Sequence, residues 1–289
     1  MRRPAFTLIV ALISMLLAVV PATAITNGEL DNGRHPNVGA YFFTVDGTDI
    51  WSQMCNGTLI SPSIFLTNAG CACFSVAVLQ IPGLHFWITF HPDVVAAHSN
   101  CTSPAACPDA LEVAAENIHI QPEFGCSRIG NVGRSPGTSD VPSGADLAVI
   151  TLPRPVEGVT PATLPPLGFL EDQQAQNGLR GQTFTVVGYG WQVEFGQGMP
   201  VAWVDGKRRL ATSEYLALAP GALITSQNSQ LGNGGACWRD PGGPFFFGDT
   251  NMVVALAYHR DTNCRAMNES FRLDIDLARG FLADYVTLP

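Results

Sequence analysis

The chain has 289 residues, which suits one globular unit with a core large enough to enclose a site. Its 15 basic residues face 24 acidic ones, and this net charge of -9 argues against nucleic acid as a partner. Eight cysteines without a CxxC spacing favour disulfides over a zinc site, so no metal or cofactor is expected.

Residues 1–24 have the layout of a secretory signal peptide. Arg2 and Arg3 precede an apolar run from Phe6 to Val20, and small residues end the segment at Ala24. The apolar run is shorter than the roughly 20 residues that a membrane-spanning helix needs. We therefore expect cleavage after Ala24 and a secreted, extracellular protein of residues 25–289 that is not held in a membrane. Two arginines and no acids leave with the leader, so the net charge falls from -9 to -11.

The rest of the chain has the spacing of an all-β protein. Short runs rich in β-branched and aromatic residues alternate with Gly, Pro and Asn clusters. Examples of such runs are Phe86–Phe90, Leu147–Leu152, Thr183–Val187 and Met252–Leu256. Segment 92–142 predicts long surface loops, and the proline-rich segment 153–166 predicts a crossing between two halves. Apolar residues at helical spacing predict one terminal helix at about 274–287.

Three blocks of sequence resemble the motifs of the trypsin and chymotrypsin-like serine protease family, in the family's order. Cys55–Ser61 with Phe65–Cys71 resembles C-x-G-T-L-I-S followed by L-T-A-A-H-C. Asp146–Ile150 is similar to the D-[IL]-A-L-L strand, and Gly235–Pro244 to D-x-C-x-G-D-S-G-G-P. Ile25–Gly28 and Gly188–Gly190 match the family's mature start and G-W-G turn, and the tail from Phe271 resembles that of microbial members.

The resemblance implies two packed six-stranded antiparallel β-barrels with a C-terminal α-helix. The first barrel is expected at about 25–155, the second at about 165–275, and the site between them. The resemblance also implies disulfides Cys55–Cys71 and Cys237–Cys264. Four cysteines remain, with three possible connectivities that the sequence does not separate: Cys73, Cys101, Cys107 and Cys126.

The family's catalytic positions are altered in this chain. The resemblance places the triad of histidine, aspartate and serine at Gly70, Asp146 and Pro241. Gly70 carries no base, and Pro241 has neither a hydroxyl nor a backbone N–H. The oxyanion-hole positions are Arg239 and Pro241, so one donor is lost there too. We expect no active catalytic residue.

The resemblance also assigns the substrate pocket and the activation contact. The specificity-pocket positions are Gly235, Ala257, Tyr258 and His259. Gly235 carries no acid to select a charge, and a histidine at 259 should crowd the pocket entrance. Cleavage after Ala24 would create an ammonium group on Ile25, which in the family pairs with the carboxylate at the position of Asp240.

These observations predict a secreted, catalytically inactive homologue of the family, a pseudoenzyme that binds or regulates. Its expected partner is an unidentified protein or glycan, and it is expected to be a monomer. Two alternatives stay open: a serine endopeptidase with divergent or residual proteolysis, and a decoy for inhibitors of an active paralogue. Asn56, Asn100 and Asn268 begin sequons for N-glycosylation.

Overall fold

A computed structural model describes residues 25–48, 50–98, 109–126, 145–194, 201–203, 205–260 and 263–289. The strands before residue 160 are β1 Glu29–Leu30, β2 Val38–Val45, β3 Trp51–Ser61, β4 Ile64–Thr67, β5 Leu84–Thr89, β6 Ala110–Glu112, β7 Ile118–Ile120 and β8 Ala148–Thr151. The later strands are β9 Thr183–Gly188, β10 Gln192–Glu194, β11 Val201–Trp203, β12 Arg209–Leu218, β13 Ala222–Ser226, β14 Pro244–Phe247, β15 Val253–Arg260 and β16 Met267–Arg272. The α-helices are α1 Ala69–Val78, α2 Val94–His98, α3 Phe169–Ala175 and α4 Asp276–Leu282. In the described ranges, short 3-10 helices cover Ala115–Asn117, Pro122–Phe124 and Ser229–Leu231.

The strands form two antiparallel sheets that confirm the expected all-β double barrel. The first half of the chain curls into a sheet of order β6-β5-β2-β3-β4-β8-β7. In the second half, β12 pairs with both β13 and β9, which closes β9, β12, β13, β16, β15 and β14 into a six-stranded barrel. Strand β1 adds to β12 at the edge of this barrel. Strands β10 and β11 form a third, two-stranded antiparallel sheet.

Gly57 shows how the first sequence block shapes its sheet. A Cβ atom on Gly57 would lie 2.4 Å from both the Phe65 ring and the Leu66 carbonyl oxygen. The close approach of β3 and β4 at this point therefore requires a glycine, because any side chain would overlap a neighbouring strand. The packing fixes the start of α1, which follows β4.

A buried polar network joins the two barrels. Arg208, which precedes β12, donates from Nε to Asp31 Oδ2 at 2.9 Å and from Nη1 to the carbonyl oxygens of Val38 and Phe90. The Tyr189 hydroxyl donates to the Val38 carbonyl oxygen at 3.2 Å and accepts from Arg208. Burial raises the pKa of Asp31, but hydrogen bonds from His35 and the Arg208 charge outweigh it and lower the pKa to about 2. The junction thus holds a charged pair, which is costly to break.

Disulfides and the terminal helix complete the frame. Cys55–Cys71 and Cys237–Cys264 are bonded as expected, and Cys73 pairs with Cys126. Cys101 and Cys107 lie outside the described residues, as does much of segment 92–142. Helix α4 is shorter than the expected 274–287 because the chain passes into turns after Leu282. Within the described ranges, no helix is long and apolar enough to cross a membrane.

Candidate functional site

The start of α1 brings Gly70 against Asp146. Asn68 caps this helix: its Oδ1 accepts from the Cys71 backbone N–H at 3.3 Å, and its Nδ2 donates to Asp146 Oδ2 at 3.1 Å. The Gly70 backbone N–H donates to Asp146 Oδ1 at 2.8 Å. Two of the three positions that the resemblance assigns to the triad are therefore in direct contact.

Asp146 is buried, and its surroundings favour the neutral carboxyl group. Burial raises its pKa to about 6, although hydrogen bonds from Gly70, Asn68 and Ala69 lower it. These three are its hydrogen-bond partners within the described chain, and none is a histidine. The aspartate ties the first turn of α1 to the segment before β8, and it has no imidazole to orient.

Gly70 leaves room at the position of the missing base. A Cβ atom built there would lie 3.9 Å from Asp146 Oδ1 and 3.8 Å from Asn68 Nδ2, which is ordinary van der Waals contact. A side chain could therefore begin at this point without displacing its neighbours. No basic group occupies position 70, so a proton acceptor is absent from it.

The loop that carries Pro241 is held in place by Asp240. Asp240 is fully buried, and its carboxylate accepts from the backbone N–H groups of Gly190 and Cys237, each at 2.9 Å. It also accepts from Asn56 Nδ2 at 3.1 Å, and the Pro241 carbonyl oxygen accepts from the Asn56 backbone N–H at 2.9 Å. Asn56, on β3 of the first sheet, thus fixes a loop of the second barrel. Proline occupies the nucleophile position within this fixed loop.

Arg239 adopts a conformation that glycine favours. Its φ of 68 lies in the left-handed region, where a side chain costs roughly 1 kcal/mol or more. Its carbonyl oxygen accepts from Gln53 Nε2 at 2.8 Å and from Asn56 Nδ2 at 3.3 Å, and these bonds hold the strained backbone. The arginine side chain disfavours this left-handed backbone but does not prevent it. The missing oxyanion donor is that of Pro241.

The space in front of Gly235 is filled. A Cβ atom on Gly235 would lie 2.0 Å from Asn268 Oδ1 and 2.8 Å from Gln227 Cγ. Asn268 Oδ1 accepts from the Ala236 backbone N–H at 3.0 Å, and Asn268 Nδ2 donates to the Ala236 carbonyl oxygen at 3.1 Å. Gln227 is fully buried and also donates to the Ala236 carbonyl oxygen. Two side-chain amides therefore fill the space in front of Gly235, a position that the resemblance assigns to the specificity pocket.

The other three pocket positions lie along β15. The Ala257 backbone N–H donates to the Gly243 carbonyl oxygen at 2.7 Å, so this residue borders the Pro241 loop. Tyr258 packs against Phe271, with ring centroids 4.3 Å apart. Burial, followed by the charges of Asp146 and Glu269, raises the pKa of Tyr258 to about 12. His259 pairs through its backbone with Glu269, and its side chain lies outside the described parts.

Ile25 is fully buried in the core of the second barrel, where it shares a cluster with Phe184, Phe245 and Val254. The next residue, Thr26, exchanges backbone hydrogen bonds with Gly235 at 2.8 and 3.1 Å. The start of the expected mature chain is thus anchored next to the pocket. Whether its ammonium reaches Asp240 stays a prediction.

Sequence reasoning missed four polar residues that build this site. They are Asn56, Asn68, Gln227 and Asn268. Asn56 and Asn268 begin two of the sequons but are 0% and 1% exposed, so neither is accessible to glycosylation in the folded protein. Asn100, in the third sequon, lies outside the described residues. The capping position of Asn68 before α1 was the one available signal.

Comparison with protein-family models finds no match, and neither does comparison with curated protein sequences. Solved structures do match. Human heparin binding protein superposes with a TM-score of 0.56 at 16% identity, covering 90% of this chain and 95% of that one. HL collagenase superposes with a TM-score of 0.54 at 14% identity, covering 92% of this chain and 98% of that one. The chain therefore has the double-barrel fold of the trypsin-like serine proteases.

Proposed function

We propose that this chain is a secreted protein with a trypsin-like fold that does not hydrolyse peptides and acts by binding another molecule. The observation that carries the proposal is the contact between Asp146 and Gly70, where a proton-accepting side chain is missing beside a buried carboxyl group. Peptide hydrolysis in this architecture needs a nucleophile, a base and an oxyanion hole. Position 70 lacks the base, and Pro241 lacks both the hydroxyl and the N–H.

The filled pocket supports binding over residual proteolysis. A divergent nucleophile would still need a substrate side chain to enter next to Gly235, where Asn268 and Gln227 are already hydrogen-bonded to Ala236. Positioning of the substrate accounts for a large part of enzymatic rate enhancement. A protein that has lost this space has lost substrate positioning as well as the reacting groups.

The name of one structural neighbour states that it binds heparin, but the charge of this chain does not support the same ligand. Heparin is a polyanion, and binding it needs a surface of clustered positive charge. This chain carries -9. We therefore favour a partner other than a sulfated glycan.

Protein that begins at Ile25 should be tested against a broad peptide mixture and against a fluorophosphonate probe that labels reactive serines. We expect no cleavage and no labelling, because the nucleophile position holds no hydroxyl. The matched control is an Asp146→Asn variant, which would abolish any genuine triad-like activity. Labelling or cleavage that disappears in this variant would show that the protein is a peptidase.

A further inference from the structure

Within the described part of the chain, the partly buried Arg239 guanidinium contacts uncharged groups. Its Nη1 donates to Ser52 Oγ and to the Gln53 carbonyl oxygen, and its Cζ lies 5.3 Å from the centroid of the Trp191 ring. No carboxylate of the described residues lies within ion-pair distance of it. A guanidinium carries five N–H donors, so those on Nε and Nη2 remain after these two bonds.

Two other arginines with buried side chains have carboxylate partners. Arg208 pairs with Asp31 at 2.9 Å, and Arg272 pairs with Asp274 at 2.9 Å and also with Glu171. Partial burial without a counter-ion is unfavourable, and it lowers the pKa of Arg239. Arg239 also has a strained left-handed backbone, so both its backbone conformation and the partial burial of its charge are unfavourable.

The Trp191 ring borders the guanidinium, and Trp238 is the residue before Arg239 in the chain. Trp238 is 45% exposed, and its carbonyl oxygen accepts from the Trp191 backbone N–H at 2.7 Å. The Trp191 indole N–H is buried and has no hydrogen-bond partner among the described residues. A partly buried cation, the ring beneath it and a tryptophan with an exposed side chain thus belong to one short stretch of contacts beside Pro241. We name Arg239, Trp191 and Trp238 the Arg239 patch.

We propose that the Arg239 patch binds a carboxylate of an acidic peptide segment of a partner protein, with an apolar neighbour of that carboxylate packing on Trp238. The proposal rests on the proposed function, because it names the ligand class for a non-hydrolytic cleft. The planar donor fork of arginine matches a carboxylate in a two-point hydrogen bond. One unpaired cation matches one carboxylate, whereas the net charge of -9 would repel a polyanion.

The test is selection of peptides from a random library of displayed 12-residue peptides, with the protein beginning at Ile25 as bait. We expect enriched peptides to share an Asp or Glu next to an apolar residue. Replacing that acid by its amide, or Arg239 by Gln, should each weaken binding about tenfold or more. Combining the two changes should add little, since each removes the same contact. Arg180→Gln, which removes an exposed arginine elsewhere on the surface, should leave binding unchanged.

A second measurement does not depend on how well the Arg239→Gln variant folds. In the unmodified protein, the Nε–H resonance of Arg239 should shift on addition of a selected acidic peptide and not on addition of its amide twin. The proposal is overturned if no peptide is enriched, if enriched peptides lack acids, or if Arg239→Gln and Arg180→Gln bind them equally. None of those outcomes would bear on whether the protein hydrolyses peptides, which is measured separately.

Discussion

Asp146 has a structural role that explains its presence without a catalytic partner. Its carboxyl group accepts from the Gly70 backbone N–H and from Asn68, the residue that caps α1. It therefore satisfies donors at the start of a helix, where backbone N–H groups have no partner within the helix. Burial favours its neutral form, which makes this one residue sensitive to pH close to neutrality.

We predict that Asp146→Asn changes how stability depends on pH. The pKa of Asp146 rises from 3.8 to about 6 on folding, so in this interval the folded protein holds a proton that the unfolded chain releases. The stability that the group contributes is then lost as pH rises through this window, by about 1.4 kcal/mol per pH unit. An asparagine does not titrate. The free energy of unfolding of the variant, relative to the natural protein, should thus rise by about 2 kcal/mol between pH 4 and pH 7.

Denaturant unfolding of both proteins at several pH values provides the measurement. A constant difference between the two curves from pH 4 to pH 7 would show that Asp146 is ionised in the folded protein throughout. Other carboxyl groups, such as Asp31 with its lowered pKa, contribute equally to both curves and cancel.

The segment that begins at Ile25 behaves as an element of the second barrel. Ile25 is fully buried, Thr26 bonds with Gly235, and β1 pairs with β12. This geometry supports the proposal that the mature chain begins at Ile25 with an ammonium group close to the Asp240 loop.

We predict that Asp240→Asn destabilises the protein that begins at Ile25 by about 3 to 5 kcal/mol, the usual effect of removing one partner of a buried ion pair. The matched comparison is a protein that retains Ala24, in which the charge is displaced from the Ile25 nitrogen. There the same substitution should cost less, because the hydrogen bonds from Gly190, Cys237 and Asn56 are affected but the attraction to the Ile25 ammonium is already absent. Equal costs in the two proteins, measured by denaturant unfolding, would rule out the ion pair.

The contiguous motifs carried the resemblance to the protease family, and that resemblance implied the double barrel and two disulfides, Cys55–Cys71 and Cys237–Cys264, all of which the structure has. They also predicted which positions lack catalytic groups. Asn268 and Gln227 were not predictable, since they come from β16 and from the segment after β13, far in sequence from Gly235. The left-handed backbone of Arg239 was not predictable either, since its carbonyl oxygen accepts hydrogen bonds from Gln53 and Asn56, which are far away in sequence and stabilise a conformation that the arginine side chain disfavours.

At the scale of the whole molecule, the contacts that join the two barrels do not depend on positions 70 and 241. Arg208 and Tyr189 join the barrels through Asp31 and Val38, and Asn56 connects the first sheet to the Asp240 loop. None of these contacts involves position 70 or the side chain of residue 241. The protein can therefore keep the double barrel while its cleft changes. Our central claim is that this chain lacks more than two catalytic side chains: its cleft no longer accepts a substrate.

The measurement that tests this claim most directly is the kcat/KM of a Gly70→His/Pro241→Ser variant on a panel of peptide substrates. Position 70 has room for a side chain next to Asp146, and Arg239 already has a glycine-like backbone, so the two substitutions supply the missing groups in an otherwise suitable frame. Asn268 and Gln227 would still fill the space before Gly235. We predict no detectable turnover on any substrate. A kcat/KM in the ordinary enzyme range of about 10⁴ to 10⁸ M⁻¹s⁻¹ would contradict the claim and confine the loss of activity to two residues.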